Sequence, residues 1–182
     1  MIRLAIIVLL AFSTAASAFP ARYDRDIRAS VRHWLPMKPW KLLKAQLYQE
    51  SRLDPLAVSP VGARGLGQFM APTWREVSRA MGWGVVSPAD ASLGIQAAAY
   101  YMARLRRGWS SPRPERDRYD LALASYNAGF GSLLKAQRKC GGPAGYPEIT
   151  ACLPQVTGRH ARETLDYVPR IRHWHARMEI LP

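Results

Sequence analysis

From Trp40 to Met178 the apolar residues recur at helical intervals, and no stretch alternates convincingly between apolar and polar as a half-buried strand must. Proline and glycine cut this pattern into segments. Pro39 sits at a first helical position, where its missing N–H costs nothing, and opens a run to Glu50 that Asp54-Pro55 closes. Pro72-Thr73-Trp74 starts a second helix, which reaches Met81 before Gly82-Trp83-Gly84 ends it. Asp90 is placed to cap a long helix to Arg107 that carries Leu93, Ala97, Tyr100 and Leu105. Asp117 to Asn127, with Leu121, Leu123 and Ala124 to bury, and Ser132 to Lys139 read as two more. A last helix, His160 to Met178, contains Pro169, whose ring removes one hydrogen bond. The segment 57–70 holds Gly62, Gly65 and Gly67, too many glycines for a helix interior, and reads as a loop or small β-like excursion. The fold class this gives is all-α (mainly α), in a single domain with no internal repeat.

Within the first run, Leu43, Leu47 and Glu50 fall at i, i+4 and i+7 and so share one helical face. Two of the three are apolar, which turns the face, and the carboxyl with it, toward the interior. A desolvated carboxyl holds its proton to higher pH, as a general acid must. A solvated glutamate at a helix end has the same spacing, so periodicity alone leaves both readings open.

The 182 residues suit one domain with a sizeable core. Met1-Ile2-Arg3 is a short basic start, Leu4 to Phe12 is apolar but too short to span a bilayer comfortably, and Ala16-Ser17-Ala18 is an A-x-A cleavage pattern. We therefore expect a signal peptide over residues 1–18, in preference to an uncleaved anchor, and no stable membrane span after its removal. Residues 19–39, polar, Arg-rich and punctuated by prolines, read as a lead-in with one helical turn near Asp26 to Trp34. Export would place Cys140 and Cys152 in an oxidising compartment, where such a pair commonly forms a disulfide that pins a loop; two buried free thiols are the alternative. The formal net charge of +13 draws the chain to polyanions such as nucleic acid, anionic lipid or an acidic cell wall. No helix-turn-helix, zinc-finger or RNA-recognition signature accompanies the arginines, so no specific nucleic-acid partner is expected. His173 and His175, two residues apart, do not share a helical face, and no Cys/His spacing marks a metal site; neither metal nor cofactor is expected.

Four short motifs follow in order: Glu50-Ser51; Gly62-Ala63-Arg64-Gly65-Leu66-Gly67-Gln68-Phe69-Met70 with Thr73-Trp74 beyond; Ala124-Ser125-Tyr126-Asn127-Ala128-Gly129; and Glu163-Thr164 with Tyr167-Val168. Together they resemble the lytic transglycosylases that share the catalytic domain of soluble lytic transglycosylase (SLT), with a goose-type-lysozyme-like fold. Each motif alone is weak, but four in order are specific. The resemblance covers residues 40–178, leaving 179–182 as a tail.

The resemblance implies an enzyme of peptidoglycan that cuts the β-1,4 bond between N-acetylmuramic acid and N-acetylglucosamine without water, closing the muramyl 6-hydroxyl onto C1 to leave a 1,6-anhydro product. Glu50 matches the family's catalytic acid, which protonates the leaving oxygen and then, as a base, takes the 6-hydroxyl proton. Ordinary glycosidases need two carboxyl groups; here the substrate supplies the nucleophile. Gln68 and Met70 match residues that bind substrate and line the cleft. Tyr126 and Asn127 match a Tyr-Asn pair whose amide either bonds the sugar N-acetyl group or closes a helix end. Tyr167 matches a tyrosine beside the acid, and Ser51 either bonds near the site or is a polar helix-end residue. Glu163 reads as structural. Gly67 stands where many relatives carry methionine and is expected to widen the cleft. Ser125 replaces the usual alanine, a change expected to be harmless, and Ala71-Pro72 inverts the usual proline-first order. The rival readings are a lysozyme-type hydrolase on the same fold, with Asp54 or Glu163 activating water, and a non-catalytic wall-binding module. Location in the periplasm or cell wall follows from export, and local wall opening for a secretion or conjugation apparatus is one setting that suits so small an enzyme.

Overall fold

The computed structural model describes residues 19–181, so the leader expected over residues 1–18 lies outside them. The helices run α1 (Asp24–Trp34), α2 (Trp40–Ser51), α3 (Ala71–Ala80), α4 (Ala91–Gly108), α5 (Glu115–Ala128), α6 (Phe130–Lys139), α7 (Tyr146–Ala151), α8 (Pro154–Thr157) and, after a 3-10 turn, α9 (Ala161–Ile180). The β-like excursion between α2 and α3 consists of isolated antiparallel bridges, Val58 with Arg64 and Arg64 with Phe69.

The bundle is built around α5. Its residues 119–125, Tyr119 to Ser125, are buried without interruption, so it has no solvent face along that stretch. Small residues at Ala122, Ala124 and Ser125 let α4, α6 and α9 approach it closely. Leu121 and Leu123 fill the space between them, with Ile95 and Met102 from α4, Leu133 from α6 and Ile171 from α9. Asp120 is buried as well and is paired with Arg172 of α9, whose Nε donates to Oδ1 at 2.8 Å. Ser125 has a task that its reading as a harmless replacement missed: its hydroxyl accepts the indole N–H of the fully buried Trp109 at 3.0 Å and donates to the Leu121 carbonyl at 2.7 Å.

The segment read as a lead-in is more ordered than expected. Instead of one helical turn, α1 has 11 residues, with Ile27 and Val31 buried at i, i+4 and Leu35 below them. It packs on α4 and α2, and Lys44 of α2, only 5% exposed, reaches Asp24 at 2.6 Å. The arginines between the apolar positions thinned the periodic signal. Helix α2 also ends earlier than Asp54-Pro55 implied. Arg52 and Leu53 both take positive φ, 56° and 63°, and turn the chain directly after Ser51. That costly pair is clamped: the Arg52 guanidinium lies over the rings of Tyr48 and Trp174, and Arg22 donates to the Leu53 carbonyl at 3.1 Å.

Asp90 caps α4 as expected, its Oδ1 accepting from Leu93 N–H at 2.9 Å. Pro169 is accommodated inside α9. The cysteine segment contains two short helices that its Gly/Pro content concealed, α7 and α8. The Cys140–Cys152 disulfide is formed, with Cα atoms 5.8 Å apart, and joins the end of α6 to the end of α7.

Candidate active site

Helices α2, α5 and α9 and the glycine-rich loop enclose a cleft of about 410 Å³, within the range of small-ligand sites. Glu50 reaches it from the last turn of α2, on the face shared with the fully buried Leu43 and Leu47. Its Oε1 accepts a hydrogen bond from the hydroxyl of Tyr167, which projects from α9. Burial drives the Glu50 pKa from 4.5 to about 8; the Tyr167 hydrogen bond opposes this, and the nearby Glu163 adds to it. Glu50 is therefore a neutral acid at neutral pH. With Oε1 occupied by Tyr167, Oε2 is the oxygen left to carry the proton. Tyr167 is itself raised well above its usual 10, first by burial and then by the Glu50 charge, so it remains a donor.

The loop is fixed through its carbonyl groups. Gln68, at φ 46°, turns its amide nitrogen back to the carbonyls of Ala57 (3.1 Å) and Gly65 (2.9 Å). Two carbonyl acceptors require the NH₂ end there, which leaves the side-chain oxygen free to accept from a ligand. The Tyr126 hydroxyl donates to the Gly67 carbonyl at 2.7 Å, and the Ser51 hydroxyl to that of Leu66 at 3.0 Å. Gly65 has φ 76°, and a Cβ there would stand 1.9 Å from the Pro88 carbonyl oxygen. The expectation that Gly67 widens the cleft is overturned. A Cβ at 67 would meet the Phe69 ring at 2.7 Å and the Tyr126 hydroxyl at 2.8 Å, so these groups already fill the space.

Of the residues singled out from sequence, Glu50, Gln68, Met70, Tyr126, Asn127 and Tyr167 all line the cleft. Ser51 does not; it is buried, and its hydroxyl ties α2 to the loop. Asn127 is held on both sides, its Nδ2 donating to Glu163 Oε1 at 3.0 Å and its Oδ1 accepting from Thr164 at 2.6 Å. It thus fastens the end of α5 to the start of α9. Glu163 lines the cleft too, while Asp54 folds back on its own turn, accepting from Leu56 N–H at 2.9 Å. Sequence reasoning missed Tyr101 and Arg170 in the cleft wall. Tyr101 belongs to an aromatic group with Tyr126 and Phe69, at centroid distances of 5.2 and 6.0 Å. Its exposure to the cleft depends on the rotation of α4, which no motif records. Among the described residues no group of three or more His, Cys, Asp or Glu is arranged to hold a metal ion.

This architecture is the all-α lysozyme-like fold: it matches the 70 kDa soluble lytic transglycosylase SLT70 of Escherichia coli with a TM-score of 0.67 and 25% identity, over 87% of this chain and 24% of that one. Residues 31–148 match the transglycosylase SLT domain, and the chain belongs to that family. Among curated relatives, membrane-bound lytic murein transglycosylase F of Pectobacterium atrosepticum is 32% identical over 169 residues, 85% of this chain and 34% of its own length. The protein of the same name from Yersinia pestis (strain Pestoides F) is 34% identical over 150 residues, 74% of this chain and 30% of its own. The chain thus spans about a third of the length of these relatives.

Proposed function

We propose that this chain is a peptidoglycan lytic transglycosylase, acting after export, with Glu50 as its single acid/base. The observation that carries this reading is a carboxylic acid kept protonated to about pH 8 in the wall of a cleft of SLT-family form. The proton on Oε2 goes to the glycosidic oxygen as the bond to C1 breaks. The carboxylate left behind is stabilised by Tyr167 and takes the proton of the muramyl 6-hydroxyl as that oxygen closes on C1. The oxygen of Gln68 and the side chain of Met70 face the sugars. Asn127 acts indirectly, by setting Glu163 and the start of α9.

A hydrolase would need a second carboxylate to activate water. Asp54 folds back on its own turn and does not line the cleft, which leaves Glu163, held by Asn127 through one oxygen, as the carboxylate a hydrolase would have to use. The test is mass spectrometry of muropeptides released from purified peptidoglycan by the chain from Phe19 onward. Fragments ending in 1,6-anhydromuramic acid are expected, and reducing-end muramic acid would overturn the mechanism. Glu50→Gln should bind wall but lose at least about 100-fold in rate, since an amide cannot give up the proton. Comparable clearing by that variant would remove Glu50 from the reaction.

A further inference from the structure

Glu163, Tyr167 and Arg170 fall at i, i+4 and i+7 on α9 and all line the cleft, so one face of that helix supplies one wall of it. The helical rise sets Arg170 about 4.5 Å beyond Tyr167 along the axis and Glu163 about 6 Å before it. Tyr167 holds Glu50, so the acid lies between a carboxyl on one side and a guanidinium on the other. Among the described residues that line the cleft, Arg170 alone carries a positive charge. It is only loosely engaged. Its Nη2 faces Asp166 Oδ2 at 3.7 Å, beyond hydrogen-bond length, and Asp166 also faces Arg162 at 4.0 Å. Both side chains of the pair are exposed, 62% and 48%, where such contacts hold weakly. The N–H donors of the guanidinium are thus left for a ligand.

The sugar rings of a glycan strand offer hydroxyls and neutral amides. In peptidoglycan the acidic groups belong to the muramyl residue, in its 3-O-lactyl group or in the peptide stem that the lactyl group carries. We propose that Arg170 is a specificity residue of the cleft: its guanidinium takes a carboxylate of that muramyl substituent, in the paired N–H···O geometry that a guanidinium fork fits. The inference rests on the cleft being a peptidoglycan site. Glu163, two turns away on the same face, disfavours a carboxylate at its own end, as it disfavours the charge of Glu50. The two side chains give the cleft a direction, and a strand lies in it with its acidic substituent toward Arg170.

The experiment compares the parent with Arg170→Gln and Arg170→Lys on three soluble substrates: intact glycan strands, strands whose carboxyl groups have been converted to methylamides, and strands freed of their stems by an amidase, which keep the lactyl carboxylate. Arg170→Gln should raise KM about fivefold on intact strands with kcat held, and Arg170→Lys should recover most of that loss. On the methylamides, parent and variants should share one raised KM. A penalty that persists on stem-free strands assigns the carboxylate to the lactyl group, and one that disappears there assigns it to the stem. Equal losses on all three substrates, or the same loss from Asp166→Asn, would make Arg170 a structural residue of α9 and overturn the proposal. Binding of intact and methylamidated strands is measured without turnover in a Glu50→Gln background, with and without Arg170→Gln. Carboxylate-dependent binding through Arg170, in a chain whose parent releases no muropeptides, would leave the subsite standing and sink the transglycosylase reading. Muropeptide release indifferent to both charges would do the reverse.

Discussion

Glu50 on an exposed helix would be an ordinary carboxylate. In the last turn of α2 it faces the negative end of a helix dipole, buried Leu43 and Leu47, and Glu163 across the cleft, all of which disfavour its charge. Activity that needs the protonated acid should therefore persist through neutral pH and fall as pH rises through about 8, as a pH–rate profile will read. Stability has the same sign. The native state holds a proton that the unfolded chain releases near 4.5, so this contribution is complete below 4.5 and is lost as pH rises to about 8. Glu50→Gln, always neutral, should gain on the parent across that window, by at most roughly 1.4 kcal/mol per pH unit, in denaturation curves taken between pH 4.5 and 9. Ser125→Ala should cost about 1–3 kcal/mol, since it strands the buried Trp109 N–H. The acid's helical face could be read from spacing. That Ser125 serves an indole sixteen residues earlier could not, because nothing in the sequence says which tryptophan lies against α5.

Among the elements, the long helices were legible because each carries a full apolar stripe or a recognisable start, such as Asp90. The short ones, α7 and α8, were not, because 6 and 4 residues hold too little periodicity and the glycines around them read as loop. The disulfide between them and α6 closes a separation of 12 residues and should contribute about 3 kcal/mol by limiting the unfolded chain. A Cys140→Ser, Cys152→Ser double variant is expected to lose that much in urea titration yet keep the proposed wall-cleaving rate where folded, because neither cysteine lines the cleft. The glycine-rich loop was correctly read as non-helical, but the use of its glycines was not visible. Gly65 admits the Pro88 carbonyl, a long-range approach, whereas Gly67 makes room for Phe69 and Tyr126.

For the molecule as a whole, the ion pair between buried Asp120 and the partly exposed Arg172 joins its central helix to the helix that carries Tyr167. Arg172→Met would leave the buried Asp120 with only the exposed Arg116 guanidinium, 3.8 Å away, at a cost of roughly 1–3 kcal/mol, and the loss should shrink at acid pH where Asp120 can protonate. The charge of +13 acts over longer range: binding of Glu50→Gln to purified wall should weaken as salt is raised from about 50 to 300 mM. The loop that forms one side of the cleft is held by its backbone carbonyls and by two inward side chains, Leu66 and Phe69. Ser51, Gln68 and Tyr126 all donate to main-chain carbonyls, while Leu56, Val58, Val61 and Met70 stand exposed beside them. A wall anchored in this way is an interchangeable panel. Its outward side chains can be exchanged by drift, selection or the protein engineer without moving Glu50, so under the proposed function new glycan preferences are open to this scaffold at little risk to the acid.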